Sequence, residues 1–546
     1  MKIWRYLAAA LVVLAGGGLC PTAYGQNVNA ILDGPGDPDT TSPRRMQPET
    51  TIAIDPNNPD LLAGGAQDFR RTTELNEACG GDRWNGLYLL SGAGDVLENS
   101  LVPGYCTDPT LGAGTEQAVS EMFGLSTNTD PVIVFDSFDN FYYSHIAFNN
   151  DPKRTTPPSA SGVLYVSFYR DEGGGTFAHA KTVKVPSGSG LRKAPHEVGP
   201  GSSNFDDKQW MTVDNSPFSD FFGRVYVTWT KFGAQGGQSS IWLSHCGGNG
   251  PDDQVCDEFS DGIVVNKPVA GGLVQESFPA TGPEGELYIA FLQFQGGFGS
   301  TRPHSGIWII KSTDGGETFT QQTKVADIAQ IPSPIPPAGS AANDGSNSFR
   351  TGTAPGVAVT ADGTVHLVWG EWVNGTNAEV RYVRSLDGGA TWSTPISMND
   401  DSTGHQFFPS IDADGNEVHV AWFDGRLNPA GSTITDLQVF YNRSLDAGTS
   451  FETDIAASDA PFDPNQVSRF PVFCAAFIGD YIDIDAVDGR VAIIWNDNTN
   501  VVDPLSPAEC QDFRTRPADP DIQDRLNSGA LDQDAFVAID PSPPGL

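Results

Sequence analysis

Basic side chains are scarce: 31 Lys and Arg stand against 68 Asp and Glu in 546 residues, a formal charge of −37. So acidic a chain has no basic stripe with which to hold a phosphate backbone or an anionic bilayer, which excludes sequence-independent nucleic-acid binding. Long apolar runs are missing beyond Leu19, and no later segment reaches the roughly 18 residues that a membrane-spanning helix needs. Metal and phosphate signatures are missing too: there is no Cys-x-x-Cys, no His-Glu-x-x-His, no EF-hand loop, no phosphate loop and no nucleophile elbow. What the chain does have is 61 Gly and 40 Pro spread along its length, with 11 Trp, 13 Tyr and 31 Phe. That composition excludes global disorder and predicts a turn-rich globular protein with a large core.

The N-terminus reads as a leader. Met1–Arg5 carries Lys2 and Arg5, Tyr6–Leu19 is apolar, and Ala23-Tyr24-Gly25 presents small residues at the positions a signal peptidase reads. A secretory signal peptide over residues 1–25 is predicted, leaving a secreted (extracellular or periplasmic) chain over 26–546. A lipid anchor on Cys20 is the rival reading, and bulky Leu19 speaks against it. Cleavage leaves Cys79, Cys106, Cys246, Cys256, Cys474 and Cys510. An even number in an exported chain predicts disulfides, and their clustering favours Cys79–Cys106, Cys246–Cys256 and Cys474–Cys510.

The chain repeats itself. Ser312-Thr-Asp314-Gly-Gly316-Glu-Thr318-Phe319 recurs as Ser385-Leu-Asp387-Gly-Gly389-Ala-Thr391-Trp392, and again as Ser444-Leu-Asp446-Ala-Gly448-Thr-Ser450-Phe451. Looser copies stand at Asp171–Phe177, Ser91–Asp95 and Ser244–Gly248, the last with Cys246 in place of the aspartate. Around each copy, apolar residues alternate with period 2, the pattern of strands. First strands are expected to begin near Thr51, Val132, Met211, Pro279, Gly356, Pro409 and Tyr481. This gives seven units of roughly 53–80 residues, each a four-stranded antiparallel meander. Such units cannot bury both faces alone, and radial stacking protects their edges. The predicted fold is therefore all-β: one β-propeller domain over 26–546 with seven blades, six being the alternative. Asp534–Ile539 is a late strand, and residues 27–33 are candidates to close the ring.

The repeated turn resembles the Asp-box (BNR repeat) of the sialidase, or neuraminidase, superfamily, and the resemblance covers nearly the whole mature chain. The box itself is turn chemistry, since its hydroxyls and carboxylate satisfy the hairpin and glycine supplies positive φ. A site is expected on the opposite face, built by the segments before first strands and by the second-to-third loops. Among the residues offered there are Glu49, Asp206, Asp207, Lys208 and Asp480.

The resemblance implies a sialidase-like glycoside hydrolase: three arginines clamping a substrate carboxylate, a Tyr nucleophile activated by Glu, and an Asp acid/base. The matching positions are Tyr481 with Glu276 as its base, Asp68 as acid/base, and Arg45, Arg70, Arg350, Arg426 and Arg469 as substrate-binding candidates. Arg45-Met-Gln-Pro48 stands where the family places Arg-Ile-Pro, with one extra residue. Asp68 also recurs as Glu371, Asp424 and Asp497 after other second strands, which points to a structural partner. The expected partner is a glycan or polysaccharide, and the expected state a monomer. A non-catalytic carbohydrate- or protein-binding propeller is the alternative function. A propeller-type polysaccharide lyase is another, with His145 beside Tyr143, His196 or His405 as base. No cofactor is required; calcium is a candidate ion, for which Asp206-Asp207 and Asp483-Ile-Asp485 offer hard oxygen ligands.

Overall fold

A computed structural model describes residues 27–30, 46–69, 84–104, 122, 125, 127–148, 162–173, 175–186, 205–232, 239–248, 256, 258–266, 272–294, 305–337, 339, 347–466, 476–501, 503–504, 509 and 533–541. The predicted signal peptide, Arg45, Arg70, His196, Arg469, Cys79, Cys106, Cys474 and Cys510 lie outside these residues.

The strands assemble into seven sheets of four antiparallel strands each, a seven-bladed β-propeller. Blade I takes Thr51–Ile54, Leu61–Asp68, Trp84–Ser91 and Val96–Leu101. The inner strands of blades II to VI are Thr127–Phe135, Phe205–Val213, Leu273–Thr281, Pro355–Val359 and Gln406–Asp414, each followed by three strands of its own sheet. Blade VII is built from both ends of the chain. Asp483–Val487, Arg490–Asp497 and Asp534–Ile539 supply three strands, and Asn27–Asn29 pairs with the last of them as the fourth. This settles the blade number at seven and gives residues 27–29 the expected closing role.

The alternation in the sequence reports which side chains pack between blades. Trp229, Trp369, Trp422 and Trp495, each on a second strand, are fully buried. A buried indole needs an acceptor for its N–H, and the chain provides carboxylates close by. Trp422 Nε1 donates to Asp424 (2.9 Å), Trp495 Nε1 to Asp497 (3.1 Å) and Trp229 Nε1 to Asp206 (3.2 Å). Asp424 and Asp497, two of the acids that recur after the second strands, thus hold the core tryptophans of blades VI and VII.

The repeated turns are closed by their own side chains. Ser312 Oγ donates to Asp314 (2.8 Å) and accepts from Gly316 N (2.9 Å), while Asp314 accepts the backbone N–H of Thr318 (2.9 Å). Asp387 and Asp446 do the same in their turns, and these bonds pull both carboxyls down to about 2. Where the other two turns have glycine, the third has Ala447 in the left-handed region (φ 50°). Cys246, which replaces the aspartate in the blade III turn, is disulfide-bonded to Cys256 as expected.

Inner strands of neighbouring blades do not share a ladder, so side chains satisfy their axial N–H groups. Asp483 accepts Ile52 N (3.1 Å) and the Thr51 hydroxyl (3.0 Å), and Asp485 accepts Ile54 N (2.5 Å), joining blade VII to blade I. Asp412 accepts Ala486 N (2.8 Å) across the VI–VII seam, and Thr51 Oγ1 accepts Ile133 N (3.1 Å) across the I–II seam. Asp483 and Asp485 are spent on these seams.

The inner strands also depart from the sequence expectation. Blades II, III, IV and VI carry a bulge, between Thr129 and Val132, Asp207 and Trp210, Gln275 and Phe278, and Phe407 and Ser410. Each strand begins several residues before its expected start, because the extra residue interrupts the period-2 pattern.

Candidate functional site

The bulges do more than bend the strands. Asp130, Lys208, Glu276 and Phe408 stand in them with φ of 53°, 49°, 56° and 50°, and Glu49, just before the first strand of blade I, has φ 58°. Non-glycine residues adopt this conformation at a cost, and it re-aims the side chain. These five side chains, with Tyr481 of blade VII and Ala354 of blade V, line one cleft of about 430 Å³. Each of the seven blades contributes one of them. A narrower channel of about 280 Å³, lined by the inner strands of all seven blades, marks the axis.

The cleft sits on the expected face, formed by segments at and before the inner strands and by second-strand ends such as Gln67, Phe148 and Phe232. Of the predicted residues, Glu276, Tyr481 and Arg350 line it together. Asp68 and Arg426 are not part of its lining. Asp68 is buried at the end of the second strand of blade I and accepts the Tyr88 hydroxyl (3.0 Å). Arg426 is held by Asp400 (2.8 Å), Asp424 (2.7 Å) and Asp454 (2.7 Å), with its guanidinium over the Phe440 ring. Arg45, Arg70 and Arg469 lie outside the described residues. The histidines considered as lyase bases are packed: His145 bonds Asn128 (3.0 Å) and Ser167 (3.1 Å), and His405 bonds the Pro336 carbonyl oxygen (2.8 Å). Burial lowers both, His145 to about 3 and His405 to about 4.

Charge is distributed unevenly across the cleft. Arg350 at the rim has a half-exposed side chain; its Nε donates to Asp480 (2.6 Å), and its guanidinium lies 3.9 Å from Glu49. Asp130 accepts the Thr129 hydroxyl (2.7 Å) and the backbone N–H of Lys208 (3.4 Å). Burial pushes the Asp207 carboxyl well up, and the charges of Asp130, Glu276 and Glu49 push it further. Glu276 is also raised by burial, against the pull of Lys208 and Arg350. Tyr481 stays a neutral phenol, raised by burial and then by Glu49 and Asp130. Its hydroxyl is directed at the Pro131 carbonyl oxygen (3.4 Å) and not at Glu276.

The arrangement places two carboxyls raised by burial, an ionic rim and aromatic faces in one open hollow. That set can transfer a proton to an ether oxygen and support a sugar ring. Among the described residues, no group of three His, Cys, Asp or Glu side chains is placed to hold a metal ion, and no helix is long and apolar enough to cross a membrane. Asp130 escaped the sequence reading because nothing in Thr129-Asp130-Pro131 marks a bulge. Asp207 and Lys208 were within the segments singled out, but no motif set them apart.

No family model matches the chain, and no curated protein matches it. Several solved structures do. They include the Hadza microbial sialidase Hz136, with 13% identity and TM-score 0.42 over 76% of this chain and 71% of that one. A polysaccharide lyase of family PL25, an ulvan lyase, aligns with 10% identity and TM-score 0.42 over 83% and 91%. The BP39L lectin from Burkholderia pseudomallei aligns with 10% identity and TM-score 0.44 over 84% and 94%.

Proposed function

We propose that the axial cleft binds a glycan and cleaves it by exo-type hydrolysis of an acidic sugar, in a secreted, monomeric protein that needs no cofactor. The observation that carries this reading is the pair Asp207 and Glu276. Both carboxyls line the cleft and are held up by burial, and Glu276 is among the charges that raise Asp207 further. Glycoside hydrolysis needs a carboxylic acid still protonated at working pH to give its proton to the leaving oxygen, and a second carboxylate to support the oxocarbenium-like centre. Asp207 fills the first role and Glu276 the second, with Arg350 at the rim to meet the sugar's own carboxylate. Tyr481, with its hydroxyl turned to Pro131, serves as a wall of the cleft in this scheme. That same geometry favours the second reading, a non-catalytic carbohydrate-binding propeller, since Tyr481 and Glu276 are not paired with each other. Purified mature protein assayed on fluorogenic sialosides, uronides and neutral glycosides tests the choice. Turnover that collapses in Asp207→Asn supports hydrolysis. Glycan binding without turnover of any of them leaves the binding module.

A further inference from the structure

Lys208 occupies the blade III bulge with φ 49° and is 5% exposed. Its ammonium lies against three rings, with Nζ 3.8 Å from the Tyr481 centroid, 4.1 Å from Trp210 and 5.5 Å from Phe278. Among the described residues it has no hydrogen-bond acceptor. Ring faces attract a cation but do not replace an acceptor, and a buried ammonium without one is costly. Burial disfavours its charged form, while Glu276, Asp130, Glu49 and Asp483 favour it through space without bonding Nζ. Asp480 and Glu49 also face Arg350, and Asp130 takes hydrogen bonds from Thr129 and from the Lys208 backbone. Lys208 is thus held on the cleft wall with a hydrogen-bonding position that no described residue fills.

We infer that Lys208 is the specificity-determining residue of the cleft, its ammonium receiving the carboxylate of an acidic sugar. The inference rests on the reading of the cleft as a glycan site. It also identifies the recognition device: a single caged ammonium at the axis, with Arg350 at the rim. The rings fix Nζ in place, so little side-chain freedom is lost on binding, and the surrounding burial keeps water from competing for the contact.

The test is isothermal titration of a galacturonic acid trisaccharide and of the neutral galactose trisaccharide into wild type and Lys208→Met. Methionine keeps the apolar stem against the three rings and removes charge and donor. Thermal unfolding of the same samples checks that the ring is intact, and Lys208→Gln, which keeps a donor without charge, serves as the second variant. The expected result is a loss of about 10- to 100-fold in affinity for the acidic trisaccharide in both variants, the size of a hydrogen bond to a charged group. Affinity for the neutral one is expected to change less than about 2-fold. Equal affinity of wild type and Lys208→Met for the acidic sugar, or an equal loss for both sugars, overturns the inference. Wild type that binds only the neutral sugar overturns it and leaves the glycan reading standing. Wild type that binds neither sugar removes both.

Discussion

Asp483 gives the sharpest test of how this ring is held. Its carboxyl, 7% exposed, is pushed from the usual 3.8 up to about 7, first by burial, with the charge of Asp485 adding to it. Ile52 N, the Thr51 hydroxyl and Ile484 N oppose the shift. A carboxyl that holds its proton more tightly when folded stabilises the fold at low pH. That contribution is lost as pH rises from the unfolded value through the folded one, because there the native state binds more protons than the unfolded chain. At about 1.36 kcal/mol per pH unit, the interval from 3.8 to about 7 amounts to at most about 4 kcal/mol. Asp483→Asn keeps an oxygen to accept Ile52 N and Thr51 Oγ1 but has nothing to ionise. The stability difference between variant and wild type, from urea unfolding followed by tryptophan fluorescence between about pH 4 and pH 8, should therefore tilt steadily toward the variant as pH rises. Groups remote from Asp483 act alike in both proteins and drop out of the difference, while Asp485 adds to the tilt in the same direction, because the variant also removes the repulsion between the two carboxylates. Parallel curves, or a tilt of the opposite sign, would refute the account of the VII–I seam.

Three further outcomes follow from the geometry. Asp207→Asn and Glu276→Gln should each lower kcat on a cleaved glycoside by about 100-fold or more, with melting temperatures unchanged or raised, since each removes a buried acid. Replacing Cys246 and Cys256 by serine should cost about 2–3 kcal/mol in unfolding free energy, because the bridge closes a short loop of sequence separation 10. Peptide mapping without reduction should find these two cysteines joined to each other. Ala447→Gly should stabilise by up to about 1 kcal/mol in thermal unfolding, because φ of 50° strains alanine and not glycine; no change would mean the turn relaxes around Ala447.

The blades were legible in the sequence because two independent signals agree. The Ser-x-Asp turns recur at the same place in the meander, and the tryptophans of blades III, V, VI and VII close the second-strand alternation. The site was legible only by address. Tyr481, Glu276 and Arg350 line the cleft because segments at and before the first strands face the axis. Lys208 and Asp130 did not stand out, since a bulge with a non-glycine residue at positive φ leaves no mark in composition or periodicity. Asp68 and Arg426 drew notice as charged residues near second-strand ends, where this fold uses carboxylates to hold side-chain donors such as the Trp422 and Trp495 indoles.

The closing strand sets an order on folding. Asn29 reaches Asp534 across 505 residues of sequence, and Asn27 pairs with Ala538. A nascent chain therefore releases its first strand long before a partner for it exists, and blades I to VI can form while the ring is still open. Closure is the contact with the greatest loop entropy, so it comes last and is the first to be lost. Asn27–Asn29 and Asp534–Ile539 pair in one sheet, so a circular permutant that links these two strands directly and opens between two other blades would turn this late pairing into a local hairpin.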